Sequence, residues 1–260
     1  MEVNTKVNLS GLILDNPVIP ASGTFGFGKE YVDFYDINIL GSISIKGTTV
    51  QRRKGNPQPR IAECYSGLIN SVGLENPGMD NVIQKELKDL ETIYRKPVIA
   101  NISGFSVEEY VTLAREMDHV DNVGIIEVNI SCPNVDHGGL AFGTNADNVR
   151  ELTKKIKEVT TKPVYMKLSP NVTDIKEIAR AAQEGGADGI SLINTLMGMR
   201  IDINRRKPVI ANKKGGFSGP AIFPVALRMV YEVYEATNLP IIGIGGISSA
   251  EDVIEMMMAG

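Results

Sequence analysis

Two cysteines, Cys64 and Cys132, are all that 260 residues hold. That number excludes a disulfide framework and fits a reducing, cytoplasmic setting. Histidine is as scarce, with only His119 and His137. No HExxH, CxxC or paired-histidine spacing occurs, so no metal site is expected. No apolar run approaches the roughly 20 residues of a membrane-spanning helix. The opening MEVNTKVNLSG lacks an apolar stretch behind a basic start, so no signal peptide is expected. Positive charge is not in excess either. The net charge of −4 excludes the broad basic field that attracts nucleic acid or anionic membranes. Two short basic clusters, Arg52-Arg53-Lys54 and Arg205-Arg206-Lys207, read as solvated loops. Tryptophan is absent, which by itself excludes nothing.

What is present is the composition of a globular protein, 43% hydrophobic and 22% charged. No linker or shift in composition divides the chain, so residues 1–260 are expected to form one domain. Short Val- and Ile-rich runs recur at 18–22, 40–47, 97–103, 124–131, 163–169, 189–195 and 240–247. They mostly do not alternate with polar residues, the pattern of strands buried on both faces. Between them, 107–117, 148–159, 174–185 and 223–236 carry apolar residues at helical spacing, with Gly185 ending one helix. Repeated strand–helix units imply a parallel sheet, either open and doubly wound or closed. Seven strands favour the closed form, a TIM (β/α)8 barrel. VNLSGLILDNP reads as an N-terminal β-hairpin, and long insertions follow strands two (48–79) and six (196–221). Loops of that length are usually functional. The sequence stops at Gly260, in or just after a helix beginning near Ser249. An eighth βα unit is therefore expected to be missing from it.

Barrel enzymes carry their chemistry at the C-terminal ends of the strands. Here those ends hold Ser22, Lys46, Asn101 with Ser103, Asn129 with Ser131, Lys167, Asn194 with Thr195, and Gly245-Gly246. Any one of them could simply cap a strand or the next helix. Two lysines at the mouth of a buried sheet, however, are costly unless they meet an anion. Their compact charge suits phosphate, carboxylate or a developing anion on a ring. The glycines of GIGGI (243–247) and GFSGPAI (216–222) precede helices, where backbone N–H groups can cradle phosphate. They are equally compatible with plain turns. Cys132 follows strand four directly in VNISCPN. A free cysteine is by default structural, but this position favours a thiol acting as a base. Cys64 has no such setting and reads as structural. His119 falls at a helix end away from the mouth, and His137 reads as a loop residue after Cys132, in a position that could approach the mouth. In NSVGLENPG (70–78), Asn70 and Asn76 could meet an amide or imide ring edge, or could form an exposed turn cluster.

LSGLILDNPVIPASGTFGFGKEY, SIKGTT, NSVGLENPG, VNISCPN, YMKLSPN, LINT and IIGIGGI, in this order, resemble the FMN-containing dihydroorotate dehydrogenases across essentially the whole chain. GTFGFG, and cysteine rather than serine at the base position, resemble the NAD-linked two-subunit branch, type 1B. The resemblance implies FMN contacts at Ser22, Lys46, Gly47, Asn101, Asn129, Lys167, Ile193, Gly219, Gly245 and Gly246. It implies orotate contacts at Lys46, Asn70, Ser71, Val72, Gly73, Leu74, Asn129, Asn194 and Thr195, with Cys132 as base. It also implies a homodimer core within a heterotetramer, whose partner subunit carries FAD and a 2Fe–2S cluster and passes electrons to NAD. The activity implied is oxidation of dihydroorotate to orotate in pyrimidine biosynthesis. Alternatives are another FMN oxidoreductase such as a dihydropyrimidine dehydrogenase, a flavin-free phosphate-binding barrel lyase or isomerase, or a non-catalytic subunit.

Overall fold

The computed structural model describes residues 3–130 and 142–260. The chain opens with strands β1 (Val7–Leu9) and β2 (Leu12–Leu14), paired antiparallel. Ser10 and Gly11 between them have φ of 51° and 94°. Two positive-φ residues in a two-residue loop match the right-handed twist of a hairpin, and glycine supplies the second without steric cost. The first insertion contributes β3 (Ile61–Cys64) and β4 (Gly67–Asn70). Next come β5 (Val98–Ile102), β6 (Val123–Asn129), β7 (Val164–Lys167) and β8 (Gly189–Leu192). The second insertion supplies β9 (Leu196–Met199), β10 (Ile201–Asp202), β11 (Lys207–Pro208) and β12 (Lys214–Ser218). The last strand is β13 (Ile241–Gly243).

The central sheet is parallel, in the order β13-β8-β7-β6-β5. Parallel bridges Ser44↔Ile99 and Thr48↔Ile102 add the expected second strand at the β5 side. Both faces of these strands are covered, which explains their unbroken apolar sequences. Val98, Ala100, Ile102, Ile126, Val128, Val164, Met166, Ile190 and Leu192 belong to the main core, with buried side chains of the flanking helices. The alternate residues Ile99, Ile125 and Tyr165 face the other way and pack with Leu9 and Leu14 of the hairpin. The hairpin thus fills one end of the sheet's inner face.

The helices Val107–Asp118, Ala146–Lys157 and Ile175–Glu184 begin at Ser106, Asn145 and Asp174. Each of these caps accepts a hydrogen bond from a first-turn N–H, as Ser, Asn and Asp do at that position. Gly185 ends the third helix, as expected. A further helical stretch, Met79–Asn81, Val82–Glu86 and Leu87–Ile93, lies where no helix is predicted; its middle part is a π-turn.

Two expectations need correction. Residues 18–22 form no strand. Pro17 and Pro20 lack the N–H that a ladder requires, and one backbone bond, Gly41 N to Val18 O at 2.9 Å, ties the segment down. Ser22 instead starts the short helix Ser22–Phe25. Nor are the two insertions separate loops: they join in one antiparallel sheet, β3-β4-β12-β9.

Candidate active site

A cavity of about 740 Å³ runs along β13, from Val7 and Leu9 of the hairpin to the C-terminal ends of the parallel strands. Its lining includes Asn70, Lys167, Ile193, Asn194, Thr195, Gly219, Gly245 and Gly246. Eight of the residues singled out in the sequence therefore share one space. Ser22 adjoins it, between the lining residues Ala21 and Gly23. Asn101, Asn129 and Gly47 lie outside the lining but link to it through Glu127 and Lys167, through Asn194, and through Asn101 respectively, and Lys46 is half-buried beside Gly47.

Those connections form a polar layer above the apolar end of the inner face. Register places Asn101, Glu127 and Tyr165 side by side, then Asn129, Lys167 and Ser191 one step along. Glu127 is 1% exposed and Lys167 is 5% exposed, and their charges lie 3.5 Å apart. The same Glu127 Oε1 accepts from Asn101 Nδ2 at 2.5 Å and from Ser44 Oγ at 3.1 Å. Lys167 Nζ also donates to Ser22 Oγ at 3.4 Å. Buried charge persists only when paired and hydrogen-bonded in this way. Asn194 Nδ2 donates to Asn129 Oδ1 at 3.3 Å, and Asn194 Oδ1 accepts from Thr195 N at 2.7 Å. Asn171 bonds to Thr195 O at 3.0 Å and holds this turn from behind.

The shared sheet of the insertions brings Asn70 to the same rim. Asn70 Nδ2 donates to Gly216 O at 3.4 Å. A Cβ at Gly216 would stand 1.9 Å from Thr195 Oγ1, so only glycine lets β12 pass between Asn70 and Thr195. The loop from Ser71 to Leu74 is braced on its outer side. Ser71 O accepts from Asn56 Nδ2 at 3.0 Å, and Asn56 N donates to Val72 O at 2.9 Å. Arg60 pairs with Glu75. Arg53 donates to Gly73 O at 3.4 Å, with its guanidinium 4.5 Å from the Phe105 ring centre. Arg53 is thus a brace within a cluster expected to be solvated; Arg52 and Lys54 are exposed. Asn76 is no ring-edge contact either. It is buried, and its amide bonds to Thr49 N, Thr49 Oγ1, Leu74 O and Gly78 N.

Of the two glycine turns, GIGGI precedes the helix Ala250–Met258, but that helix already has its cap. Ser249 and Asp252 form a capping box, and Asp252 accepts from Ser248 N and Ser249 N. These bonds, led by the one from Ser248 N, lower the Asp252 pKa. Gly246 lies instead against the helix Phe223–Ala236, which has no side-chain cap. A Cβ on Gly246 would sit 2.7 Å from Phe223 N and 2.8 Å from Gly219 O. The two turns expected to be phosphate cradles therefore meet where the 3-10 turn Pro220–Ile222 leads into this helix, with Ile222 N donating to Gly219 O and Phe223 N to Pro220 O.

Four buried oxygens, Ser71 Oγ, Asn101 Oδ1, Ser103 Oγ and Ser191 Oγ, have no partner among the described residues. Such atoms are costly to leave unpaired. Asn101 Oδ1 would stand 2.8 Å from a Cβ at Gly47, with Leu74 Cδ2 at 3.5 Å and Ser103 Oγ at 3.7 Å. Glycine at 47 keeps the space beside two orphaned oxygens clear. Orphaned acceptors, a lysine, an amide rim and a glycine cradle together match a flat polar ring bearing a phosphate tail. Cys132 and His137 lie outside the described residues. His119 caps the helix Val107–Asp118, as expected of a helix end.

Comparison with known proteins decides the family. Residues 4–260 match the family model described as dihydroorotate dehydrogenase. The chain belongs to the dihydroorotate dehydrogenase family. It is 57% identical over 254 residues to the catalytic subunit of dihydroorotate dehydrogenase B (NAD(+)) from Halalkalibacterium halodurans, covering 98% of this chain and 83% of that one. The Bacillus cereus subunit of the same name is also 57% identical over 255 residues, covering 98% and 82%. A dihydroorotate dehydrogenase needs a flavin, and the cavity suits FMN. Among the described residues, no helix is long and apolar enough to cross a membrane.

Glu127, Ser44 and Ser191 of the polar layer were not predicted. The available signal was an acid within GIIEVNIS, a run otherwise read as buried.

Proposed function

We propose that this chain oxidises dihydroorotate to orotate as the FMN-bearing catalytic subunit of an NAD-linked dihydroorotate dehydrogenase. The observation that carries the reading is the convergence on one cavity of Lys167, the Asn129–Asn194–Thr195 chain, Asn70 and the Gly219/Gly246 cradle. We further propose that the parallel sheet is part of a (β/α)8 barrel around it. The hairpin already plugs the end at which barrels are sealed.

FMN, when bound, supplies the acceptor for the hydride leaving dihydroorotate C6. Gly219, Gly245 and Gly246 would hold its phosphate, since backbone without side chains lets an anion approach closely. Ser22, Gly47, Asn101, Lys167 and Ile193 would hold the ring system, and Lys167 would stabilise negative charge on it. Lys46 would pair with the substrate carboxylate. Asn70, Asn129, Asn194 and Thr195 would hold the substrate's ring by its amide groups, with Ser71–Leu74 closing over it. Cys132, three residues after Asn129 in sequence, would take the C5 proton. A thiol with a pKa near 8.5 is partly ionised at working pH. Electrons would then pass through a partner subunit carrying FAD and a 2Fe–2S cluster to NAD, with two copies of this chain at the centre of the assembly.

The test is an anaerobic spectrum of the FMN-loaded protein before and after dihydroorotate. Bleaching of the flavin band is expected; a band that stays oxidised rejects the substrate. Cys132→Ala should keep flavin and orotate binding but lose about 10²–10⁴-fold in turnover near neutral pH, the usual worth of a general base. Turnover at the wild-type rate would remove Cys132 from this role.

A further inference from the structure

Glu127 has no place in the reaction as drawn, yet it is one of the most deeply buried charges in the molecule, at 1% exposure. It sits on β6, two residues before Asn129, and its side chain enters the inner face. One carboxylate oxygen, Oε1, takes every contact: Ser44 Oγ at 3.1 Å, Asn101 Nδ2 at 2.5 Å and Lys167 Nζ at 3.5 Å. Two of its three partners, Asn101 and Lys167, are residues assigned above to the flavin. Asn101 thereby turns its amide nitrogen to Glu127 and leaves Oδ1 unpartnered beside Gly47. Lys167 is held between Glu127 and Ser22 at the cavity wall.

We propose that Glu127 is a positioning residue that sets the redox potential of the bound flavin through Lys167 and Asn101. This rests on the assignment of the cavity to FMN. Glu127 holds the ammonium at the cavity wall and offsets its charge from 3.5 Å. It also fixes which end of the Asn101 amide faces the ligand. A cation near the ring stabilises the extra electron density of reduced flavin, so an offset cation does so less. Buried charges are weakly screened, so the offset carries to a ligand against the cavity wall that Lys167 lines.

Glu127→Gln isolates the charge. Glutamine keeps an oxygen at Oε1 able to accept from Ser44 and Asn101, while Lys167 loses its counter-ion, which costs stability as any break of a buried ion pair does. The FMN-loaded variant and wild type would be equilibrated with a reference dye of matched potential. The expected result is that the variant's flavin is at least tenfold easier to reduce, about 30 mV for a two-electron couple. FMN should still bind, as read by quenching of its fluorescence. Glu127→Asp keeps the charge but withdraws it by one methylene. It should shift the equilibrium the same way by less, and it serves as the test if the glutamine variant does not fold. A wild-type reduction equilibrium in a variant that holds FMN overturns the proposal and leaves the FMN assignment standing. A wild-type protein that takes up no FMN overturns both.

Discussion

At one end of the inner face, Leu9, Leu14, Ile99, Ile125 and Tyr165 pack as an apolar plug. A step further along the same strands, the face carries Asn101, Glu127, Asn129, Lys167 and Ser191. The two regions share strands, register and near-complete burial, so neither secondary structure nor exposure separates them. They differ in what satisfies them. The plug is satisfied by packing alone, although Leu9 also lines the cavity, because apolar surface asks only to leave water. The polar layer is incomplete: Asn101 Oδ1 and Ser191 Oγ lack partners among the described residues. A region that folds into place with unmet hydrogen bonds is one prepared for a ligand. The comparison teaches that the plug supplies stability while the polar layer, at some cost to stability, supplies the site.

Lys167→Met breaks the polar layer hardest. It leaves Glu127 buried without its counter-ion, and removing one partner of a buried pair costs about 3–5 kcal/mol. Urea unfolding should show that loss, and the protein should retain little FMN on gel filtration. A variant as stable as wild type would mean that the ion pair does not hold this layer together.

Ile125→Ala breaks the plug instead. Ile125 is fully buried, and such truncations cost roughly 2–5 kcal/mol, depending on how far the cavity collapses. Here the contrast should appear, with lower stability but FMN affinity unchanged when titrated well below the unfolding transition. If FMN affinity falls in step with stability, the two regions are one cooperative unit and the division drawn above fails.

How far the sequence reveals this depends on the range of the interaction. Val- and Ile-rich runs and helical spacing are local signals, and they locate β5–β8 and the helices between them. The residues at the strand ends were legible because strand direction alone places them at one rim. Three things were not. Pairing of β4 with β12 joins residues nearly 150 positions apart, which no local pattern encodes. Pro17 and Pro20 forbid the ladder bonds that the apolar run 18–22 predicts. Glu127 sits inside an apolar run, where hydrophobic pattern absorbs it; its meaning needs Lys167 and Asn101 from neighbouring strands. Asn76 erred the other way, since its amide is spent on Thr49, Leu74 and Gly78 rather than on a ligand.

Tyr165 stands where the two regions meet, and it gives the smallest and sharpest test. Its ring covers Gly189, where a Cβ would come within 2.2 Å of it. Its hydroxyl is 3.0 Å from Ser10 Oγ in the hairpin turn. Burial pushes the phenol pKa up from 10.0 to about 12. The sign follows from linkage: the folded state holds this proton more tightly than the unfolded chain does. The contribution is therefore fully present below pH 10 and drains away as pH rises through 10 toward 12. Tyr165→Phe removes one hydrogen bond, a loss of about 0.5–1.5 kcal/mol at neutral pH. Between pH 10 and 12 the gap between wild type and variant should close and then reverse, since only wild type has this proton to lose and each pKa unit is worth about 1.4 kcal/mol. Unfolding midpoints of the two proteins, compared at each pH, report that difference directly, because every other titrating group is common to both. A gap that stays constant to pH 12 would mean that the phenol ionises alike in both states, and that the plug is open to water where it meets the polar layer.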